Sequence, residues 1–361
     1  MTKDRPEGVR VDHHNDHDDA ASHTSDTSHN FDLFAEPPDF YPPSPPPTTE
    51  QHALGRSGVQ LTLHLVGHSV LEAHRLWNGS RVLADYLEER EAQGDHVVRD
   101  KTVLELGAGA GLPGIVCGLV LGARKVVVTD YPDPDLVQTM RRNIEEAEAG
   151  AAAAAAASAS GQLAGYVPGT VIADGYVWGG DPAPMLAHLR PATRGDDGDE
   201  ASGAGKASAS EAQKGAQKGA QKGAQNEDLK YDVLLLADLL FRHAEHSKLA
   251  YSVAQTLRNA PDSRAYVFFT SYRPWLRHKD LAFFEHARDA GLVVEHVLER
   301  RLEKPPLFFE NDPGDVSVRS TVSGYLLRWP QPDQSEDPAA FWPPGGLPVE
   351  PVQEPPAAGD A

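Results

Sequence analysis

The sequence predicts an open, doubly wound α/β sheet of seven strands in which the last strand is antiparallel. Three observations lead there. The apolar run Val103-Leu-Glu-Leu106 ends in Gly107-Ala-Gly-Ala-Gly-Leu-Pro-Gly114. Glycines let the backbone turn and approach a ligand closely, and a helix opening there points free N–H groups at it. Short continuous apolar runs then alternate with segments of helical periodicity, the pattern of parallel strands buried on both faces and their crossover helices. The final two apolar runs are joined without a convincing helix, which favours an antiparallel pair.

Element by element, residues 79–91 read as a helix ahead of the sheet and 102–106 as its first strand. The helix 112–121 follows the glycines. Residues 125–129 form the second strand, and 133–148 carry apolar residues at three- and four-residue spacing. Strands follow at 170–173 and 231–237, then a helix over 243–259 and a strand over 264–270. Strands at 292–298 and 321–328 close the sheet; between them lie Pro305, Pro306, Pro313 and Gly314. Right-handed crossovers place a ligand at the carboxyl ends of the parallel strands.

The outer limits come from composition. Residues 1–30 are rich in His, Asp, Ser and Thr and too poor in apolar groups to offset chain entropy, so disorder is expected there. His13, His14, His17 and His23 could hold a metal loosely, but a solvated tail is the expectation. One domain spans 31–330, with low-complexity inserts at about 150–161 and 191–229, and 331–361 form a Pro-rich acidic tail. The formal net charge of −20 argues against non-specific nucleic-acid binding. No apolar stretch is long enough to span a bilayer and no signal-peptide core is present, so a cytoplasmic location is expected. Cys117 is the only cysteine and reads as a small buried residue.

The strand ends carry the chemistry. Asp130 closes the run Val126-Val-Val-Thr-Asp130, where a carboxylate accepts hydrogen bonds from a ribose diol. Gly109, Gly111 and Gly114 also satisfy the dinucleotide G-x-G-x-x-G spacing. Glu105 shifts the balance, because a carboxylate there suits a ligand bearing an ammonium and repels a pyrophosphate. S-adenosylmethionine has an amino group and a ribose and no phosphate, so it is the expected cofactor. The antiparallel ending points the same way, since it resembles the sheet of class I S-adenosylmethionine-dependent methyltransferases.

Around this site, Trp178 either stacks on the adenine or plugs a core. Asp174 either accepts the adenine amino group or forms a turn before Gly175. Ala237 leaves space for the cofactor, and Asp238 and Phe241 face the same mouth, where a carboxylate and an aromatic wall orient and desolvate an acceptor amine. Asp238 could equally cap the following helix. His243 and His246 are candidate bases, though packing or surface positions are the commoner use of such histidines. Trp77 reads either as a lid over the cofactor or as a staple between helix and sheet, and the loop 308–314 as a substrate lip.

Several segments together resemble the nicotinamide N-methyltransferase-like seven-strand protein methyltransferases, in particular the fungal elongation factor 1-alpha N-terminal and lysine N-methyltransferase subgroup. They are Leu33-Phe-Ala-Glu-Pro-Pro-Asp-Phe-Tyr-Pro-Pro43, Leu76-Trp-Asn78, Leu104 to Gly114, Thr129-Asp-Tyr-Pro132, Gly175-Tyr-Val-Trp-Gly179, Ala237-Asp-Leu-Leu-Phe241 and Asn311-Asp-Pro-Gly314. The resemblance implies that Trp77, Gly107, Ala108, Gly109, Asp130, Trp178 and Ala237 bind S-adenosylmethionine. It also implies methylation of the N-terminal glycine and adjacent lysine of translation elongation factor 1-alpha. Arg242 and Ala244 depart from the Asn and Ser expected after the Phe. The competing readings are a small-molecule, nicotinamide-type N-methyltransferase and a non-catalytic cofactor-binding scaffold. The scaffold has no need of the glycines, Glu105 and Asp130 together.

Overall fold

A computed structural model describes residues 45–157, 167–190, 229–305, 308, 314–332 and 338–341. The N-terminal tail, the aromatic-proline leader 33–43, residues 158–161 of the first insert, nearly all of the second insert, most of the acidic tail and all of the proposed lip except Phe308 and Gly314 lie outside the described residues.

The continuous apolar runs become strands where both faces are covered. These are β3 (Thr102–Leu106), β4 (Lys125–Asp130), β5 (Val171–Gly175), β6 (Val233–Ala237) and β7 (Arg264–Thr270). All four pairings among them are parallel. β8 (Val293–Arg301) and β9 (Thr321–Arg328) complete a seven-stranded sheet in the order β5-β4-β3-β6-β7-β9-β8. β9 slots between β7 and β8 and runs antiparallel to both, in line with the antiparallel ending expected from the sequence. A bulge at His296 and Leu298 interrupts the last pairing.

Strand parity decides which core each side chain joins. Val103, Val126, Val128, Val233 and Leu235 pack on one face. There they meet α1 (Asn78–Ala92), α2 (Leu112–Leu119) and α3 (Pro134–Ala157) through Leu83, Leu87, Ile115 and Met140. Leu104, Leu106, Val127, Leu234 and Leu236 pack on the opposite face with Leu249, Val253 and Phe284. α3 continues past Glu148 into the alanine run, as the high helix propensity of alanine allows. Cys117 is a free, fully buried thiol on α2, and burial pushes its pKa up.

Other elements depart from the predicted set. A two-stranded antiparallel hairpin, β1 (Thr48–Ala53) and β2 (Gln60–Leu65), stands apart from the main sheet. Short helices appear at α4 (Ala183–Ala187), α6 (Arg277–Leu281), α7 (Phe283–Asp289) and α8 (Val316–Arg319). α8 lies in the stretch read as lacking a helix; it is a single turn, capped by the Asp315 carboxylate on the Ser317 N–H. The helix expected over 243–259 divides into a 3-10 turn, His243–Glu245, and α5 (His246–Thr256).

Two buried polar side chains fasten the hairpin. Glu88 of α1 accepts from the Arg56 and Ser57 N–H groups in its turn, at 2.8 and 2.7 Å. Asn143 of α3 accepts from the His64 N–H at 2.7 Å and donates to the carbonyls of His64 and Ala110, both at 3.0 Å. It thereby ties β2 to the glycine loop. Among the described residues no helix is long and apolar enough to cross a membrane, and no cluster of His, Cys, Asp and Glu could hold a metal ion.

Candidate active site

At the carboxyl end of β3 the chain turns through Gly107, Gly109 and Gly111, all at positive φ (62°, 55° and 78°). Side-chain-bearing residues rarely adopt that conformation. Asp130, at the end of β4, accepts from the Gly109 N–H and the Tyr131 N–H, both at 2.7 Å. Burial pushes its carboxyl upward, and the two amides partly offset this. The loop and this carboxylate line a cleft of about 290 Å³.

The seven residues expected at the cofactor all border that cleft: Trp77, Gly107, Ala108, Gly109, Asp130, Trp178 and Ala237. Trp178 walls the cleft and also packs against the neighbouring core. Asp174 does not reach the cleft. One of its oxygens accepts from the Gly175 N–H and the other pairs with His188, each at 2.8 Å, which is the turn-forming alternative.

Glu105 also corrects its reading. It is 1% exposed and lies beneath the first turn of α2, where it accepts from the Gly114 N–H at 2.8 Å. Burial pushes its carboxyl up to about 8. Its strand parity aims it at the helix rather than at the ligand, so it is no partner for an ammonium group. Its work is to hold the helix that follows the glycines.

Beyond Trp77 a second chamber of about 230 Å³ shares Glu72, Trp77, Asp238 and Phe241 with the first, and adds His243, Tyr272 and Asp280. Asp238 is 4% exposed at φ 52°. Its side chain accepts from the Thr270 N–H at 2.7 Å and from the Gly79 N–H. Asp238 is therefore a helix cap, but of α1 rather than of the helix that follows it. A Cβ at Gly79 would stand 2.6 Å from the Asp238 carboxylate and 2.9 Å from the Phe268 carbonyl, so this junction needs glycine. Burial pushes Asp238 up to about 7.

The Asp238 clamp fixes Trp77, the residue just before α1. The indole N–H donates to the Glu72 carbonyl at 2.9 Å, and the ring stacks on Phe241 with centroids 6.3 Å apart. Tyr272 and Phe308 pack on the same indole at 5.1 and 4.6 Å. Trp77 is thus a partition between the chambers, while Phe241, 43% exposed, forms the rim. His246 is buried and pairs with the Leu240 carbonyl at 2.7 Å; burial lowers its pKa. His243 pairs with Asp280 at 2.8 Å on the chamber wall. Tyr272 and Asp280 did not emerge from the sequence, although Tyr272 sits just beyond a predicted strand, where the carboxyl-end rule points.

A family model described as "Lysine methyltransferase" matches residues 60–160. "Protein N-terminal and lysine N-methyltransferase efm7" of Neurospora crassa is 49% identical over 302 residues, 84% of this chain and 89% of that protein. Its counterpart in Gibberella zeae is 44% identical, covering 82% of this chain and 94% of that one. The protein of that name in Schizosaccharomyces pombe is 34% identical, with 84% and 96% covered.

The chain belongs to this methyltransferase family.

The methyltransferase uses S-adenosylmethionine, which supplies an electrophilic methyl group when bound. The residues present fit it: glycine backbone open to close approach, a buried carboxylate for a ribose diol, an indole face at Trp178 and a small side chain at Ala237. The enzyme's own part in transfer is to hold an acceptor in line and exclude water from it. Trp77 and Phe241 form an apolar wall of the cleft, and Asp238 holds the start of α1 beside Trp77.

Proposed function

We propose that this methyltransferase acts in the cytoplasm on the N-terminal glycine and adjacent lysine of translation elongation factor 1-alpha. The observation that carries the reading is the second chamber, contiguous with the cofactor cleft and walled by both aromatic rings and carboxylates. A basic chain terminus meets Glu72, Asp238 and Asp280 there, while Trp77, Phe241 and Tyr272 offer π faces to an amine. The exposed Phe241 at the rim suits a chain end entering from the surface. The relatives named as protein N-terminal and lysine N-methyltransferases support the same acceptor class.

The test is incubation of the purified chain with radiolabelled S-adenosylmethionine and an extract depleted of this activity. One labelled band of elongation-factor size, lost when the factor's first residues are removed, is the expected result. Labelling elsewhere overturns the assignment. Intact cofactor binding without any labelled protein returns the choice to a small-molecule acceptor, which nicotinamide turnover would reveal, or to a scaffold.

A further inference from the structure

An amine arriving at neutral pH is largely an ammonium ion, which has no lone pair with which to attack a methyl group. Something must take its proton. In the second chamber, His243 presents an imidazole 28% exposed on its side chain, its Nε2 2.8 Å from Asp280 Oδ1. Asp280 is 8% exposed on its side chain, and its other oxygen accepts from the Ser271 hydroxyl at 2.8 Å. Arg277 donates to Ser271 at 3.2 Å and to Ser323 of β9 at 3.1 Å, so the carboxylate is anchored to the sheet. Among the described residues Nδ1 of His243 has no hydrogen-bond partner. A chamber-facing imidazole backed by a buried, fastened carboxylate is an arrangement that accepts protons.

We propose that His243 is the proton acceptor for the amine and that Asp280 is the positioning residue behind it; this rests on the amine-acceptor reading above. The ammonium gives a proton to His243 Nδ1, forming an imidazolium whose Nε2–H remains on Asp280. The freed nitrogen pair forms the N–C bond as the bond between methyl carbon and sulfur breaks, leaving its electrons on sulfur. The imidazolium then returns the proton to water. The charged and titratable groups around His243 are Asp280, His246 at 5.6 Å between ring centroids, and Asp238, Glu72, Tyr272 and Arg273 on the chamber wall.

The experiment measures kcat/KM against pH for the wild type, His243→Gln and Asp280→Asn on a peptide carrying the elongation factor N-terminus. It is paired with nitrogen-15 NMR of the imidazoles, which reads which ring nitrogen holds the proton, and with calorimetry of cofactor binding. His243→Gln should lose about 10²-fold near neutral pH. The deficit should close as pH passes the α-amine's own pKa, about 8. Cofactor affinity should be unchanged in both variants. The imidazole signal absent from His243→Gln should show its proton on Nε2, held by Asp280, and that preference should weaken in Asp280→Asn. A pH-independent deficit, or no deficit, overturns the proposal, as does a neutral His243 that carries its proton on Nδ1. If the wild type leaves the peptide unmethylated, the substrate reading fails by itself. The tautomer read by NMR then decides on the His243–Asp280 pair.

Discussion

Asp130 accepts two backbone amides and still borders the cofactor cleft, so its removal acts on both the loop and the ligand. Asp130→Ala should weaken S-adenosylmethionine binding at least about 10²-fold, since hydrogen bonds to a charged group are worth roughly 1.5–3 kcal/mol each. Undiminished affinity by calorimetry would refute this role. Glu105 makes a prediction about stability instead. Its folded carboxyl titrates at about 8, above its ordinary 4.5, because burial penalises the charge. The folded state therefore holds the proton more tightly. The resulting stabilisation is complete below about 4.5 and is lost as pH rises through about 8. Glu105→Gln keeps an oxygen for the Gly114 N–H, so its Tm should gain on the wild type as pH climbs through that window; a constant difference would sink the idea. Asp130 was legible in the sequence because strand ends face ligands. Glu105 was misread because residues inside a strand follow parity, which points this one under α2.

Between elements, the fastening depends on a few buried polar groups. Asn143 joins α3, β2 and the glycine loop through three hydrogen bonds. Asn143→Ala strands two buried carbonyls and an amide, at about 3 kcal/mol or more. Urea denaturation should register that loss, with a weaker cofactor affinity because Ala110 is released. An unchanged midpoint would show that water replaces the side chain without cost. The hairpin held by this clamp was overlooked, yet its signal is present: Leu61, Leu63 and Leu65 are buried and alternate with exposed Gln60 and Thr62. What was illegible is the partner of α1, because Asp238 caps that helix from far along the chain. Local sequence offers a capping residue only to its neighbours.

For the whole molecule, the net charge of −20 sets a long-range field around any basic substrate. Raising ionic strength should lower kcat/KM for the elongation factor proposed as substrate, chiefly through slower encounter, and should affect a short neutral peptide less. Equal salt dependence for both would remove the field from the account. The doubly wound sheet was readable from sequence because its parallel strands are short apolar runs and those at 102–106, 125–129 and 231–237 are each followed by a segment of helical periodicity. The two-chamber site was only half readable. Its cofactor side is built around short motifs at the strand ends, whereas its other wall adds Tyr272 and Asp280, which belong to no motif. The partition of Glu72, Trp77, Asp238 and Phe241 belongs to both compartments at once. Any settling of it when one compartment fills changes the affinity of the other, and thermodynamic reciprocity makes the factor identical whichever ligand arrives first. A single shared wall thus couples two binding equilibria that the chain could otherwise have kept independent.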